Sequence, residues 1–225
     1  MSIVYMSKPE LFAAAARFVS IEQARPYLNG VAVQPCEAGG AFIVATNGHA
    51  MFVAIDDLAT WEQGAPGNAI YHVDKRKLPA AAFNAFSLRL DGITAQFQGE
   101  NLSPVHVAAC RKDTENTFPD WTRLIPDTNV DTVPIDNTSF DAKYIADFAE
   151  VTKRLNTSRN VAFVARHTGG NPALVSIGRR RDCFGILMPM RIGAAYDTGH
   201  ANGMAAKDWI VENLRAAPSH AMAAE

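Results

Sequence analysis

Side chains that could carry out catalysis are few in this sequence, and no catalytic motif surrounds them. His49 follows Asn47-Gly48, a tight-turn pair, and could serve as a general base, although a histidine in that position is more often a surface or packing residue. The 225 residues contain no nucleophile elbow, phosphate-binding loop or dinucleotide-binding fingerprint. We therefore predict that the protein is not an enzyme and uses no cofactor.

The cysteines and histidines show no pattern typical of metal or disulfide chemistry. Cys36, Cys110 and Cys183 are far apart, and an odd number of cysteines cannot all pair within one chain. We interpret them as small apolar residues of the core or the strands. Because the six histidines show no H-x-x-x-H spacing and no C-x-x-C pair occurs, no metal site is predicted.

Charge and hydropathy are those of an ordinary globular protein. The chain has 21 Lys and Arg against 23 Asp and Glu, a net charge of -2, and 48% hydrophobic residues. This balance excludes a protein that coats nucleic acid by bulk positive charge, but it leaves local basic patches open. No apolar run reaches the roughly 18 residues of a membrane span, and the first ten residues lack the apolar core of a secretory signal. We therefore predict a cytoplasmic protein.

Hydrophobic periodicity indicates a βαβββ unit that occurs three times. The first unit is predicted to have a strand at Ile3–Met6, a helix that begins with a Ser7/Glu10 capping box, and strands at 31–33, 41–45 and 51–55. The second has strands at 69–73, 88–90, 93–97 and 105–109 and a short helix at 78–86. The third has a strand at 132–135, a helix at 140–155 with a Thr138/Asp141 capping box, and strands at 161–166, 173–177 and 183–190.

The three units leave a C-terminal remainder. They begin near residues 3, 69 and 132, and the third ends close to residue 192. Residues 193–225 are rich in Ala and Gly, and we predict an extension with one short helix at 205–216 whose apolar face could fill a groove on this or a neighbouring subunit. Arg179-Arg180-Arg181 falls in a predicted hairpin turn and is interpreted as a solvated loop.

Three parts of the sequence match short patterns of one known family, in the same order. Residues 25–33 and 44–51, RPYLNGVAV and VATNGHAM, are similar to R-x-Y-L-N-G-V and V-A-T-D-G-H-R-L. Residues 118–126, FPDWTRLIP, and 187–192, LMPMRI, are similar to F-P-D-Y-x-R-[VL]-[IL]-P and V-M-P-M-R-L. The chain therefore resembles the bacterial DNA polymerase III beta subunit, the beta sliding clamp family. It departs from the pattern at Asn47 and Ala50, where the family has Asp and Arg.

The resemblance implies an α+β protein with the DNA clamp fold, in which repeated βαβββ units place antiparallel sheets outside and helices facing the ring interior. Residues 1–126 would form a complete clamp-like domain of two units, 127–192 half a domain of one unit, and 193–225 the C-terminal tail. The family's first domain is missing, and the second helix is shortened. Because family rings contain twelve units, chains of three units would close a ring as a homotetramer.

The resemblance also implies a function. The protein would be a sliding clamp, a processivity factor that encircles double-stranded DNA without sequence preference. It would tether a replicative DNA polymerase, and bind a clamp loader, through their short linear motifs. Its reduced length favours an origin in a phage or mobile element. The alternative is a non-ring clamp-fold protein that binds or competes for clamp-binding peptide motifs; an enzyme that reuses the fold is a third interpretation, for which the sequence offers no motif.

Site residues follow from the resemblance, position by position. The peptide groove would be lined by Leu28, Thr46, Gly48, His49, Met51, Pro119, Arg123, Leu124, Ile186, Met188, Pro189, Met190 and Arg191. Arg25 and Tyr27 match a family loop that touches DNA. Cations on or just before the predicted helices are the other candidates for phosphate contacts, although each taken alone is more typical of a solvated surface: Lys8, Arg17, Lys75, Arg76, Lys77, Lys143, Lys153 and Arg154.

Overall fold

The computed structural model describes residues 3–62, 66–74, 78–125, 139–156, 163–166 and 172–190, with the backbone alone for 163–166. Its α-helices are α1 (Pro9–Ala15) and α2 (Ala142–Leu155), and turns of 3-10 helix occupy Ala16–Phe18, Pro26–Leu28, Ala80–Asn84 and Trp121–Leu124. The strands are β1 (Ile3–Met6), β2 (Val31–Pro35), β3 (Ala41–Thr46), β4 (Ala50–Asp56), β5 (Thr60–Glu62), β6 (Ala69–Val73), β7 (Ser87–Leu90), β8 (Thr94–Gln98), β9 (Pro104–Asp113), β10 (Phe163–Arg166), β11 (Ala173–Ile177) and β12 (Cys183–Leu187).

The described strands form one antiparallel sheet in the order β10-β11-β12-β4-β3-β2-β6-β9-β8-β7-β1-β5. Side chains of α1, α2 and alternate strand residues form the main core on one face. A smaller cluster on the opposite face lies beneath Phe118 and Trp121. The architecture confirms the predicted α+β class with repeated βαβββ units. The predicted first strand of the third unit, 132–135, lies outside the described residues.

Reciprocal strand pairing links the first two units. The first strand of the first unit, β1, pairs with β7, and the first strand of the second unit, β6, pairs with β2. The last strand of the second unit, β9, continues far enough to pair with β6 as well. In the first unit β5 makes the matching contact, because it follows β4 and pairs with β1. The two units are therefore related by an approximate two-fold exchange within the chain.

The third unit joins the first unit edge to edge. β12 pairs with β4 over five residues, from Cys183 opposite Ala54 to Leu187 opposite Ala50. Counting the predicted strand at 132–135, both are the fourth strands of their units, so this junction pairs one fourth strand with another. This pairing also places the end of β12 beside the hairpin between β3 and β4.

An aromatic cluster packs behind the β4–β12 junction. Phe148 of α2 is fully buried, and its ring centroid lies 4.7 Å from that of Phe18. Phe18 in turn stacks on Phe52 of β4 at 5.7 Å. Gly185 of β12 faces this cluster, and a Cβ at that position would overlap the Phe148 ring. The absence of a side chain at Gly185 is what lets α2 approach the sheet here.

The predicted Ser7/Glu10 capping box at the start of α1 is wrong. Lys8 is the N-cap residue, and its side chain makes no capping hydrogen bond. The fully buried carboxylate of Asp56, at the end of β4, takes that role. It accepts hydrogen bonds from the Ser7 and Lys8 backbone N–H groups at 2.7 and 2.9 Å, and from the Ser7 hydroxyl at 2.7 Å. A long-range contact thus replaces the local one that the sequence pattern indicated.

Three other element predictions need correction. α2 begins at Ala142 because Asp141 is itself the N-cap and accepts from the Lys143 N–H at 2.8 Å; Thr138 lies outside the described residues. The predicted helix at 78–86 is reduced to the 3-10 turn Ala80–Asn84, with extended backbone at Pro79. The strand predicted over 183–190 ends at Leu187.

Arg180 is not part of a solvated loop, contrary to the interpretation of the three-arginine run. It donates to Asp182 at 2.8 Å, to Glu10 of α1 at 3.1 Å and to the Leu155 carbonyl at 3.4 Å. Burial lowers the pKa of Arg180, but the hydrogen bonds to the two carboxylates outweigh it and leave the pKa raised. Arg180 therefore links the third unit to α1 with its charge intact.

Other features of the described residues bear on the remaining predictions. Cys110 and Cys183 are buried, as the core interpretation requires, while Cys36 is partly exposed. No helix in the described ranges is long and apolar enough to cross a membrane. No cluster of His, Cys, Asp and Glu that could hold a metal lies within those ranges. The tail at 193–225, with its predicted helix, lies outside them.

Candidate functional site

Four segments that are distant in sequence meet at one cavity of about 230 Å³. They are the 3-10 turn before β2, the β3–β4 hairpin, the segment around the 3-10 turn after β9, and the end of β12. The cavity is lined by Arg25, Tyr27, Leu28, Thr46, Gly48, His49, Ala50, Met51, Pro119, Leu124, Ile186 and Met188. The structure thus brings together nine of the thirteen residues that the sequence placed in a groove.

Local hydrogen bonds fix the β3–β4 hairpin at the cavity. The Asn47 side-chain oxygen accepts from the backbone N–H groups of His49 and Ala50, both at 2.9 Å. The Thr46 hydroxyl donates to the Ala50 carbonyl at 2.9 Å and accepts from the Gly48 N–H at 3.1 Å. An Asp side chain at this position would supply the same kind of acceptor oxygen as Asn47 does.

Gly48 is required at the tip of this hairpin. Its backbone φ of +89° lies in the left-handed region, which residues other than glycine rarely adopt. A Cβ on Gly48 would also stand 2.9 Å from the Arg25 guanidinium, which itself is held at 2.6 Å from Glu22. The hairpin and the 3-10 turn before β2 are therefore packed directly against one another.

The cavity has a buried apolar floor and an exposed mouth. Leu28, Met51 and Ile186 are all at most 4% exposed, and Ile186 stands opposite Met51 in the β4–β12 pairing. At the mouth, Leu124 and Met188 are 40% and 37% exposed. Such a site can take up an apolar side chain, because its floor is apolar and buried and its rim is exposed.

Contacts with the third unit position the mouth. The Met188 N–H donates to the His49 carbonyl at 2.8 Å. The His49 ring stacks on Tyr144 of α2, with centroids 5.7 Å apart and an interplanar angle of 13°. Burial raises the pKa of the Tyr144 phenol, and nearby carboxylates raise it further, so the ring is neutral. The exposed His49 side chain thus packs against Tyr144 of the third unit.

Some predicted groove residues lie away from the cavity. Arg123 is 83% exposed in its side chain and pairs with Asp120 at 2.9 Å. Pro189 and Met190 follow the lining segment, and the Met190 N–H donates to the Ser139 carbonyl at 2.7 Å. Arg191 lies outside the described residues. The three predicted residues that the structure describes are thus not among those that line the cavity: Arg123 pairs with Asp120, and after Met188 the chain turns toward Ser139.

Arg25 and Tyr27 line the cavity, although the sequence assigned them to DNA contact. Ala50 is a further lining residue, and Tyr144 supports the mouth; neither was predicted. The signal for Ala50 was available, since it lies inside the matched segment. Tyr144 had no such signal, because its contact with His49 joins residues almost a hundred positions apart.

Four of the cations predicted to contact DNA form ion pairs with carboxylates in the structure. Lys8 pairs with Asp57 at 2.7 Å, Arg17 with Asp147 at 3.6 Å, Arg25 with Glu22 at 2.6 Å, and Arg154 with Glu150 at 2.7 Å. Each pair weakens the attraction of the cation for phosphate, since a carboxylate already neutralises it. Lys143 and Lys153 are exposed on α2, and Lys75, Arg76 and Lys77 lie outside the described residues.

Comparison with known proteins identifies the fold. No protein-family model matches the sequence, and no curated protein matches it either. Solved structures do match. The sliding clamp (DNA polymerase III subunit beta) of Bartonella birtlesii, bound to griselimycin, is 18% identical with a TM-score of 0.56, and the match covers 84% of this chain and 66% of that one.

Two further structures give the same result. DNA polymerase III subunit beta of Borrelia burgdorferi, in complex with a natural product, is 14% identical with a TM-score of 0.57, covering 86% of this chain and 63% of that one. The pol III beta of Caulobacter crescentus is 19% identical with a TM-score of 0.54, covering 85% and 66%. The chain thus has the sliding-clamp fold, which confirms the resemblance at the level of fold, and it spans just under two thirds of the length of these proteins.

Proposed function

We propose that the protein is a sliding clamp, a processivity factor that closes into a ring around duplex DNA and tethers a replicative polymerase. The observation that carries this proposal is the meeting of four sequence segments at one apolar cavity, in a chain with the clamp fold. The cavity would hold short linear motifs of the polymerase and the clamp loader. The polymerase would catalyse DNA synthesis, and the clamp would serve as its accessory subunit.

The chemistry of the cavity suits exchangeable peptide binding. Met51 and Met188 can repack around different apolar anchors, and Pro119 gives a rigid wall at no entropic cost. An anchor that buries about 100 Å² of apolar surface contributes roughly 2.5 kcal/mol. Two or three such anchors correspond to micromolar affinity, which lets partners exchange.

Ring closure would hold DNA by topology, without base contacts. A net charge of -2 is compatible with this, because an acidic outside and a basic inside average to almost zero. In the described residues, the exposed Lys143 and Lys153 on α2 are the best candidates for phosphate contact. We assign residues 1–126 to a complete domain and 127–192 to half a domain that a second chain completes. A cytoplasmic phage or mobile-element replication system is the setting we propose.

The second candidate is a non-ring clamp-fold protein that captures clamp-binding peptides. The four ion-paired cations favour it, since they reduce the positive charge available to DNA. Peptide binding without any retention on DNA would support this alternative over the ring.

A mass measurement in solution tests the assembly. Because the family ring holds twelve units, we expect a homotetramer of four 24.4 kDa chains, about 98 kDa, by sedimentation or light scattering. The tetramer should dissociate on dilution to smaller species of defined mass. A 24.4 kDa monomer at every workable concentration would contradict the ring.

A further inference from the structure

The fourth strands of the three units differ in their pairing partners. These strands are β4, β9 and β12. β4 and β12 pair antiparallel with each other, so each covers an edge of the other. β9 has no fourth strand beside it in the described residues. The internal repeat therefore leaves one fourth strand without the kind of partner that the other two have.

The open edge of β9 can be located from its hydrogen bonds. Pro104 to Ala109 pair with β8 on one side, and only Cys110 to Asp113 pair with β6 on the other. The Cys110 N–H donates to the Ile93 carbonyl at 2.8 Å, on the β8 side. Because backbone groups alternate in direction along a strand, those of Val107 and Ala109 point to the opposite, open edge. At Val105 the alternation is interrupted by the register shift between Phe97 and Gln98.

Most of this edge lacks the features that usually prevent strand association; the exception is a register shift in the β8–β9 pairing between Phe97 and Gln98, near the Pro104 end. Val105 and Val107 are 53% and 50% exposed, and Ala109 is exposed as well. None of these three outward side chains is charged, and a proline stands only at the end, at position 104. At the other end of the sheet, β5 is only three residues long and carries Glu62. The outward side chains of the β9 edge thus present no charge that would oppose pairing with another strand.

We propose that Pro104–Ala109 of β9 pairs antiparallel with the same segment of a second copy of this chain, across a two-fold axis. A two-fold axis perpendicular to the strands makes two identical strands antiparallel, which is the direction found between β4 and β12. Val105 and Val107 of one copy would then pack beside those of the other. This contact is one of those that a four-chain ring needs, but it does not depend on binding of DNA or peptide.

Disulfide trapping tests the pairing directly. Val105→Cys, Val107→Cys and Ala109→Cys are made singly with Cys36→Ser, and the intact protein is oxidised and run on a non-reducing gel. Near a two-fold axis at least one of them should form a covalent dimer in high yield. Gln96→Cys is the matched control, because Gln96 lies opposite Val107 but one strand away from the edge. If none of the three edge variants exceeds this control, the proposal is overturned.

Backbone and charge variants at Val107 give a second test. Val107→Pro removes an N–H that faces the open edge and should weaken dimerisation about tenfold or more, whereas Val107→Thr retains the N–H and should not. Val107→Lys places like charges across the axis and should weaken it similarly if the proline variant does not fold. Unchanged association in folded Val107→Lys would contradict the pairing. The groove lies on other strands, so peptide binding by the same variants reports on the proposed function separately.

Discussion

Replacing Phe148 with alanine is expected to lower the free energy of unfolding by about 3–5 kcal/mol. Phe148 is fully buried and packs against Phe18, which stacks on Phe52. The loss combines the apolar surface no longer buried and the cavity left between α2 and the sheet. Urea denaturation followed by circular dichroism measures it. Phe86→Ala is the matched control, because Phe86 is 57% exposed and its loss should cost less than about 0.5 kcal/mol.

Gly185 makes the same packing testable by a double-mutant cycle. In Gly185→Ala alone the new methyl group overlaps the Phe148 ring, so we expect a loss of about 1–3 kcal/mol. In the Phe148→Ala background the cavity accommodates the methyl group, and the cost of Gly185→Ala should largely disappear. Additive costs, or a cost of Phe148→Ala below about 1 kcal/mol, would show that α2 does not pack over β12 in this way.

The second large effect concerns the cavity itself. Met188→Asp should weaken binding of a fluorescent peptide copied from the clamp-binding segment of a bacterial replicative polymerase by about 50-fold or more. A carboxylate at the mouth removes an apolar contact and would lose water when an apolar anchor enters. Because Met188 is 37% exposed, the substitution should leave the free energy of unfolding almost unchanged. Fluorescence anisotropy measures the affinity.

Met190→Asp is the matched control for this experiment. It makes the same change two residues further along, at a side chain that is 51% exposed and does not line the cavity. Its affinity for the peptide should stay within about twofold of the unmodified protein. Equal losses in both variants would mean that the added charge acts at a distance, and that the cavity is not the binding site.

Much of the fold could be predicted because the strands have strong local signals. β3 and β4 are apolar runs separated by Asn47-Gly48, a turn signal that leaves little choice of register. β5 was missed because it has only three residues and only Trp61 is partly buried. The capping box at Ser7 failed because Asp56, which is distant in sequence, satisfies the same backbone groups better.

The candidate site also has residues that the sequence could place and residues that it could not. Lining residues inside the matched segments, such as Leu28 and Ile186, could be assigned by position. DNA contacts could not be assigned in this way, because a sequence does not show which cation has a carboxylate beside it. Arg17, for example, lies 3.6 Å from Asp147 on another helix. Contacts between units could not be predicted, because they depend on how the whole chain packs and not on a local sequence pattern.

Retention on DNA tests the central claim most directly. The assembled protein is placed on nicked circular DNA and on open linear DNA of the same length, and its dissociation is followed at raised salt, which suppresses simple electrostatic binding. A ring that encircles the duplex can slide off linear ends but not off a circle, so we predict a much longer residence on the circle. Equal residence times on the two DNAs would contradict the clamp.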